Sequence, residues 1–413
     1  MRSHLLATAI VVSLGLASAS DAFAANPPVT AAQLEQLQAQ IAALQAQVQQ
    51  LQAQSEAQQA QADAQSEVNV VQAQALETAQ TTSSKVDSLA KLVNDNKIGG
   101  RLFIDASNID QKSNGVKTNN SGTGFDVTRF YLTFDHKFND IWSANLTTDA
   151  QYLSFGSGAG ANQPNSVEVF IKKAYVQAKY SNALFLRAGA ADTPWIPFVE
   201  KYYGYRYIQN TVTDRLSYGT SADWGVHVGG DTEAGLTYAA SLSNGRGYRN
   251  PSRSKGVDFE ARLGYAPTPE TIIAVGGYTG KRGQETETVS PPQTAERVNV
   301  MAAYATSKYR LGAEYFQAKN WAVTNVIADK ATGYSIWGSA ALTDGGITLF
   351  GRYDNVDPNK DTNSGYENVY YHLGVEFPIT KGIKLSPVYK WTKAQTASKL
   401  ETREIGVWGD VQF

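Results

Sequence analysis

From Ile98 to Phe413 the sequence divides into sixteen short runs whose side chains alternate with a period of two, and the segments between them alternate in length. The runs begin near residues 98, 125, 141, 167, 184, 223, 236, 257, 271, 296, 309, 331, 347, 368, 383 and 400. In RFYLTF (129–134), Phe130, Leu132 and Phe134 face one way, and Arg129, Tyr131 and Thr133 the other. RVNVMAAY (297–304) sets Val298, Val300, Ala302 and Tyr304 against Arg297, Asn299 and Met301. ITLFGRYD (347–354) is less clean, because Phe350 shares a face with Thr348 and Arg352. Such alternation belongs to strands lying between two unlike environments. The short connectors are FND, SNA, DTEAG, PTPE, SK, TDGG and ITKG. The long ones lie at about 107–124, 154–166, 193–222, 245–256, 281–295, 320–330, 357–367 and 393–399. Seven tight and eight long connectors is the count that an all-β transmembrane barrel of about sixteen antiparallel strands needs when both its ends lie on the tight-turn side. A soluble sandwich has no reason to sort its loops in this way. Fourteen or eighteen strands stay open, since the runs near 223 and 331 are weak.

The last run, EIGVWGDVQF (404–413), places Ile405, Val407, Gly409, Val411 and Phe413 on one face. The other face holds Glu404, Gly406, Trp408, Asp410 and Gln412. A closed barrel has no free edge, so this strand is expected to pair with the first. A terminal Phe after alternating apolar positions also resembles the signature by which outer-membrane barrels are recognised for assembly.

Residues 1–24 read as a secretion signal. Arg2 and His4 precede the apolar run LLATAIVVSLGLA, and Ala22-Phe23-Ala24 supplies small residues at the cleavage site. No later segment approaches the roughly 20 apolar residues of a membrane helix, and mean hydropathy is -0.33. The chain has no cysteine, which excludes a disulfide framework and a thiolate site in an exported protein. It carries 22 Tyr and 35 Gly but only 2 Met, a composition that suits an outer-membrane β protein. A net charge of -2 indicates no nucleic-acid partner.

Residues 25–96 have a different period. Leu34, Leu37, Ile41, Leu44, Val48 and Leu51 form a heptad seam, with Ala and Gln at most other positions. An α-helical coiled coil followed by a linker is expected, placed in the periplasm before a barrel at 97–413. About 60 helical residues would reach about 90 Å, a rod rather than a binding pocket. Ile41 and Val48 alternating with leucines favour two strands by the usual rule, whereas a barrel trimer would call for three.

A sixteen-stranded barrel leaves an aqueous lumen. The faces opposite the apolar ones carry Arg129, Lys173, Arg187, Arg262, Arg297, Arg310, Arg352 and Lys390, with Asp258, Glu260 and Glu314 among them. These are the expected pore-lining residues, because charge on the lipid side is costly. Single members of the set could equally be ion pairs that hold the wall. The longest connector holds Trp195, Phe198, Tyr202, Tyr203, Tyr205, Tyr207 and Tyr218. Thirty residues exceed what a turn requires, and an aromatic loop is poorly suited to open water. It is expected to fold inward, with Trp195, Glu200, Lys201, Arg206, Asp214 and Arg215 at the constriction and its acids facing wall arginines.

The stretch VFIKKAYVQAKYSNALFLRAGAADTPWIPFVEKYY (169–203) resembles the corresponding part of the phosphate-selective porin O/P family. The shared pattern is a lysine-bearing strand, a short turn, a strand with Arg-x-Gly, and a proline-containing approach to the third loop. The resemblance implies a homotrimeric, water-filled pore in the bacterial outer membrane, in contact with lipid and passing ions or small solutes with an anion preference. Phosphate specificity in such proteins depends on dense basic clusters, whereas this lumen intersperses acids and its third loop is aromatic. A substrate-selective anion channel is therefore the lesser expectation. Another is envelope tethering, in which the coil reaches the cell wall. No enzyme is expected. His136, His227 and His372 fall on different strands, and no nucleophile, zinc or phosphate-loop motif is present. No metal and no cofactor are expected either; DNVDPNKDTNSG (354–365) lacks the closing Glu of a calcium loop.

Overall fold

The computed structural model describes residues 30–153, 166–288, 292–325 and 327–413. The expected secretion signal lies outside these residues. Two compact units divide near Asp87 and Ser88. Helix α1 (Ala31–Asp95) runs for 65 residues and supplies the first unit as far as Asp87. Neither Gly nor Pro interrupts it, and Ala, Gln and Leu favour helix. Every seam residue from Leu34 to Leu51 is at least 51% exposed, so in a single chain the apolar stripe covers nothing.

In the second unit alternation becomes a ladder. The strands are β1 (Asn96–Ser113), β2 (Val116–Lys117), β3 (Gly122–Lys137), β4 (Trp142–Leu153), β5 (Ser166–Ser181), β6 (Leu184–Asp192), β7 (Ala222–Asp231), β8 (Leu236–Ser243) and β9 (Asp258–Thr268). They continue as β10 (Thr271–Gly280), β11 (Ala295–Ala305), β12 (Tyr309–Lys319), β13 (Lys330–Ala341), β14 (Thr348–Asp357), β15 (Glu367–Thr380), β16 (Ile383–Gln395) and β17 (Lys399–Gln412). Apart from the two-residue β2, which folds back on β1, sixteen strands pair antiparallel with their neighbours among the described residues. Each starts within three residues of its expected position.

Closure is made by β1 and β17, in register from Arg101↔Gln412 to Ser113↔Leu400. Gly100 N–H donates to Phe413 O at 2.7 Å, and Phe413 N–H donates back to Gly100 O at 3.1 Å. Two 2.8 Å hydrogen bonds from Arg101 to Asp410 tie the same seam. The chain's last residues therefore complete the ladder and leave no edge unpaired.

Two outer connectors are shorter than the sequence predicts. In place of 107–124, β1 runs on to Ser113 and β3 begins at Gly122. In place of 393–399, only Thr396–Ser398 separate β16 from β17, as short as the tight turns at the other end. These stretches are polar on both faces and so look like loop. Backbone pairing needs no apolar side chain, however, and the ladder continues past the membrane, supported by Lys393–Glu367 (2.9 Å) and Trp391–Glu401 (3.2 Å).

The outer face is apolar, with Leu132, Leu146, Leu263, Val300, Leu311, Ile336, Leu373 and Val407 exposed. Phe138, Trp142, Tyr180, Tyr265, Tyr304, Tyr309 and Phe377 ring the short-turn end. Tyr315, Tyr334, Tyr353 and Tyr371 mark the other end over β12–β15. These two belts sit where amphipathic rings meet the membrane interfaces.

Candidate pore constriction

The third outer loop (L3, residues 193–221) carries two short helices, α2 (Ile196–Tyr203) and α3 (Val212–Arg215). It folds into the barrel, where its aromatic side chains find the apolar cover that open water would deny them. Trp195 is fully buried. Its backbone N–H donates to Glu260 at 3.1 Å and its indole Nε1–H to Glu314 at 2.6 Å. Gly276 on β10 makes room for the indole, since a Cβ there would enter the ring. α2 stops at Gly204, which has φ +81° and donates to Glu200 O. Arg310 covers this helix end, reaching the Tyr202 carbonyl at 3.1 Å.

Beyond α2 the loop follows the inner wall. Tyr203 meets Trp337 edge-on, and Tyr205 stacks on Phe350 at 4.2 Å. Tyr207 donates to Glu376 at 2.9 Å and contacts Ser386 at 2.6 Å. This explains why Phe350 breaks the apolar-out pattern of β14: L3 covers it inside the barrel. The return path is held by wall side chains. Arg352 donates to Asn210 O at 2.6 Å, Arg297 to Tyr218 O, and Trp321 to Ser217 O at 2.6 Å.

L3 thus lines the wall from β9 round to β1, leaving the inner side of β3–β7 as the free side. Arg206 spans the gap, bound to Glu200 within the loop and donating to Tyr131 OH on β3. Opposite stand Arg129, paired with Asp149 at 3.3 Å, and Lys172, which lies 4.6 Å from the Tyr131 ring centroid. Burial raises the Asp214 carboxyl pKa, against the pull of Arg206. A recess of about 330 Å³ separates Arg206 and Tyr207 of L3 from Arg129 on β3, Lys390 on β16 and Trp408 on β17.

All eight expected wall cations point inward, but most are already engaged. Arg297 pairs with Glu260 (2.9 Å), Arg352 with Asp354 (2.7 Å), Lys390 with Glu404 (3.5 Å) and Lys173 with Asp192 (2.7 Å). Arg187 donates to Gln177 at 2.8 Å. Arg262 and Arg310 hold L3 carbonyls. Of the loop residues, Arg215 is drawn to Asp354 at 3.1 Å, away from the free side, and Lys201 is exposed beside Tyr202. Glu200 and Arg206 pair at the gap, and Asp214 lies within reach of their charges.

Strict alternation misses Lys172. A register shift between β4 and β5 (Thr147↔Lys173 but Thr148↔Ile171) is a bulge that turns both Lys172 and Lys173 inward. The doubled lysine in FIKKAY was the available signal, because one of the pair would otherwise have faced lipid.

Residues 97–276 match the phosphate-selective porin O and P family. Together with the closed barrel, this match supports an outer-membrane channel. The fold is similar to that of an anion-selective porin from Comamonas acidovorans (TM-score 0.54, 12% identity, 77% of this chain and 99% of that one). It is also similar to a loop L8 deletion mutant of OmpT, an outer membrane protein of Vibrio cholerae (0.53, 15%, 77% and 99%). The outer membrane channel DcaP of Acinetobacter baumannii is a third (0.53, 11%, 77% and 97%). At these identities the likeness establishes the fold. A search of curated proteins finds no match. Family and fold point to a channel rather than an enzyme.

Proposed function

We propose that this porin is a passive diffusion channel for ions and small hydrophilic solutes, with a weak preference for anions. One observation carries the reading. At the gap, Arg129, Lys172 and Arg206 stand beside Asp149 and Glu200, and Lys173 and Arg187 share the single carboxylate of Asp192. Cations that outnumber their immediate carboxylate partners in a water-filled passage favour anions slightly and do not single out a multiply charged one. Phosphate selectivity would need a denser basic cluster.

The working form is a homotrimer in contact with outer-membrane lipid. The exposed seam of α1 favours association of this helix with copies of itself, as a periplasmic coiled coil. The reversal potential in a planar bilayer across a KCl gradient tests the channel. A value modestly favouring chloride is expected; a cation-favouring value would refute the preference, and silent, well-folded protein would refute the channel.

The same seam supports a second reading, envelope tethering through the coil to the cell wall. Removing residues 31–93 separates the two. Unchanged conductance is expected from a working barrel, whereas detergent sensitivity of cells with intact conductance would favour the tether.

A further inference from the structure

Below α2, toward the short turns, the lumen holds a recess of about 300 Å³ that the channel reading does not use. It lies at the lower end of the range in which proteins hold small molecules, roughly 300–1,000 Å³. Arg262 forms its polar wall and is only 8% exposed. One face of the guanidinium lies on the Phe198 ring, 3.6 Å from the centroid. Nε donates to Pro194 O at 3.0 Å and Nη2 to Thr237 at 3.1 Å. Nη1 is buried without a hydrogen-bond partner among the described residues. It sits over Gly264, where a Cβ would stand 3.3 Å from it. Among the remaining walls, Phe198 and Tyr202 are in edge contact at 5.1 Å and Phe185 adds a third ring, with Thr237, Ala266 and Ile272 beside them. Lys201 and Asp231 line the same recess and are both exposed.

A buried guanidinium N–H without an acceptor costs free energy, and that cost is relieved by an incoming anionic oxygen. The aromatic walls add apolar burial. Arg262 and Lys201 against Asp231 leave one net positive charge. We propose that this recess is a periplasm-side subsite for a singly charged aromatic carboxylate, the carboxylate taking Arg262 Nη1 and the ring lying among Phe185, Phe198 and Tyr202. The inference rests on the channel reading, since solute reaches the recess through the lumen.

The test adds sodium benzoate to full-length protein in a planar bilayer in KCl, with calorimetric binding to the detergent-solubilised protein alongside. Benzoate is expected to lower the KCl conductance saturably, more strongly from the short-turn side, while acetate and inorganic phosphate do so only weakly. Arg262→Gln and Phe198→Leu, each checked for folding by heat-modifiable gel mobility, are each expected to raise the half-saturating benzoate concentration about tenfold, the scale of one charged hydrogen bond. Benzoate behaving like acetate, phosphate binding more tightly, or both folded variants keeping the wild-type value overturns the subsite. Absent KCl current with calorimetric benzoate binding overturns the channel and keeps the subsite; normal KCl current without benzoate binding does the reverse.

Discussion

Replacing Trp195 with alanine removes the anchor of α2. The indole is fully buried and donates to Glu314, whose carboxylate is 2% exposed. Truncating a buried Trp costs about 3–5 kcal/mol, and losing the hydrogen bond to a carboxylate adds about 1.5–3 kcal/mol, since only Thr213 at 3.4 Å remains on that oxygen. At 1.4 kcal/mol per tenfold, even the smaller sum lowers the docked-to-undocked ratio of this end of L3 by about three orders of magnitude. Release stays local, because Tyr207, Asn210 and Tyr218 keep their own wall partners. Single-channel recording is therefore expected to show larger, flickering currents, and limited trypsin digestion to cut at Lys201. Trp195→Phe keeps one ring but loses the N–H and the rest of the indole's buried volume, so it should fall between wild type and Trp195→Ala. Gly276→Ala strikes the same contact from the wall and should act in the same direction. Wild-type conductance, noise and trypsin resistance in folded Trp195→Ala would refute the anchoring argument.

Arg206→Glu makes the gap more negative by two charges, so the KCl reversal potential should move toward cations; an unchanged potential would place the controlling charge elsewhere. Asp410→Ala breaks the two hydrogen bonds to Arg101 across the closing seam. With Arg101 partly exposed, the cost should be only about 1–2 kcal/mol, read as a lower temperature for the heat-induced gel shift of the barrel. Asp329 joins two outer loops, accepting from Lys330 N–H, Asp361 N–H, Asn359 and Thr362. Burial raises its pKa, but those donors outweigh it and hold the carboxyl below its ordinary value. Its stabilisation is therefore present above that ordinary value and lost as pH falls through the lowered one. Amide exchange at Asp361 should quicken only in that acidic window, and Asp329→Asn should quicken it at neutral pH.

The strands and their faces were legible in the sequence because parity is a local property: each residue's side follows from its neighbour's. This is why short runs alone turn Arg129, Arg297 and Arg352 to one face, and why the aromatic load of residues 193–221 argues for burial. What the alternation does not carry is anything that depends on two distant segments at once. Whether a polar stretch such as 107–113 pairs is decided by its partner strand, here 400–406. The inward turn of Lys172 arises from a register shift against β4. The division of the wall cations into paired ones, loop-holding ones and those on the free side depends on where L3 lies across the lumen. So does the partner of each loop charge: Arg215 goes to Asp354 on β14, while Arg206 reaches Tyr131 on β3. The repeat along the chain determined a barrel and its two faces. The loop threaded through it, set by buried aromatic contacts between residues far apart in sequence, decided the shape and charge of the passage.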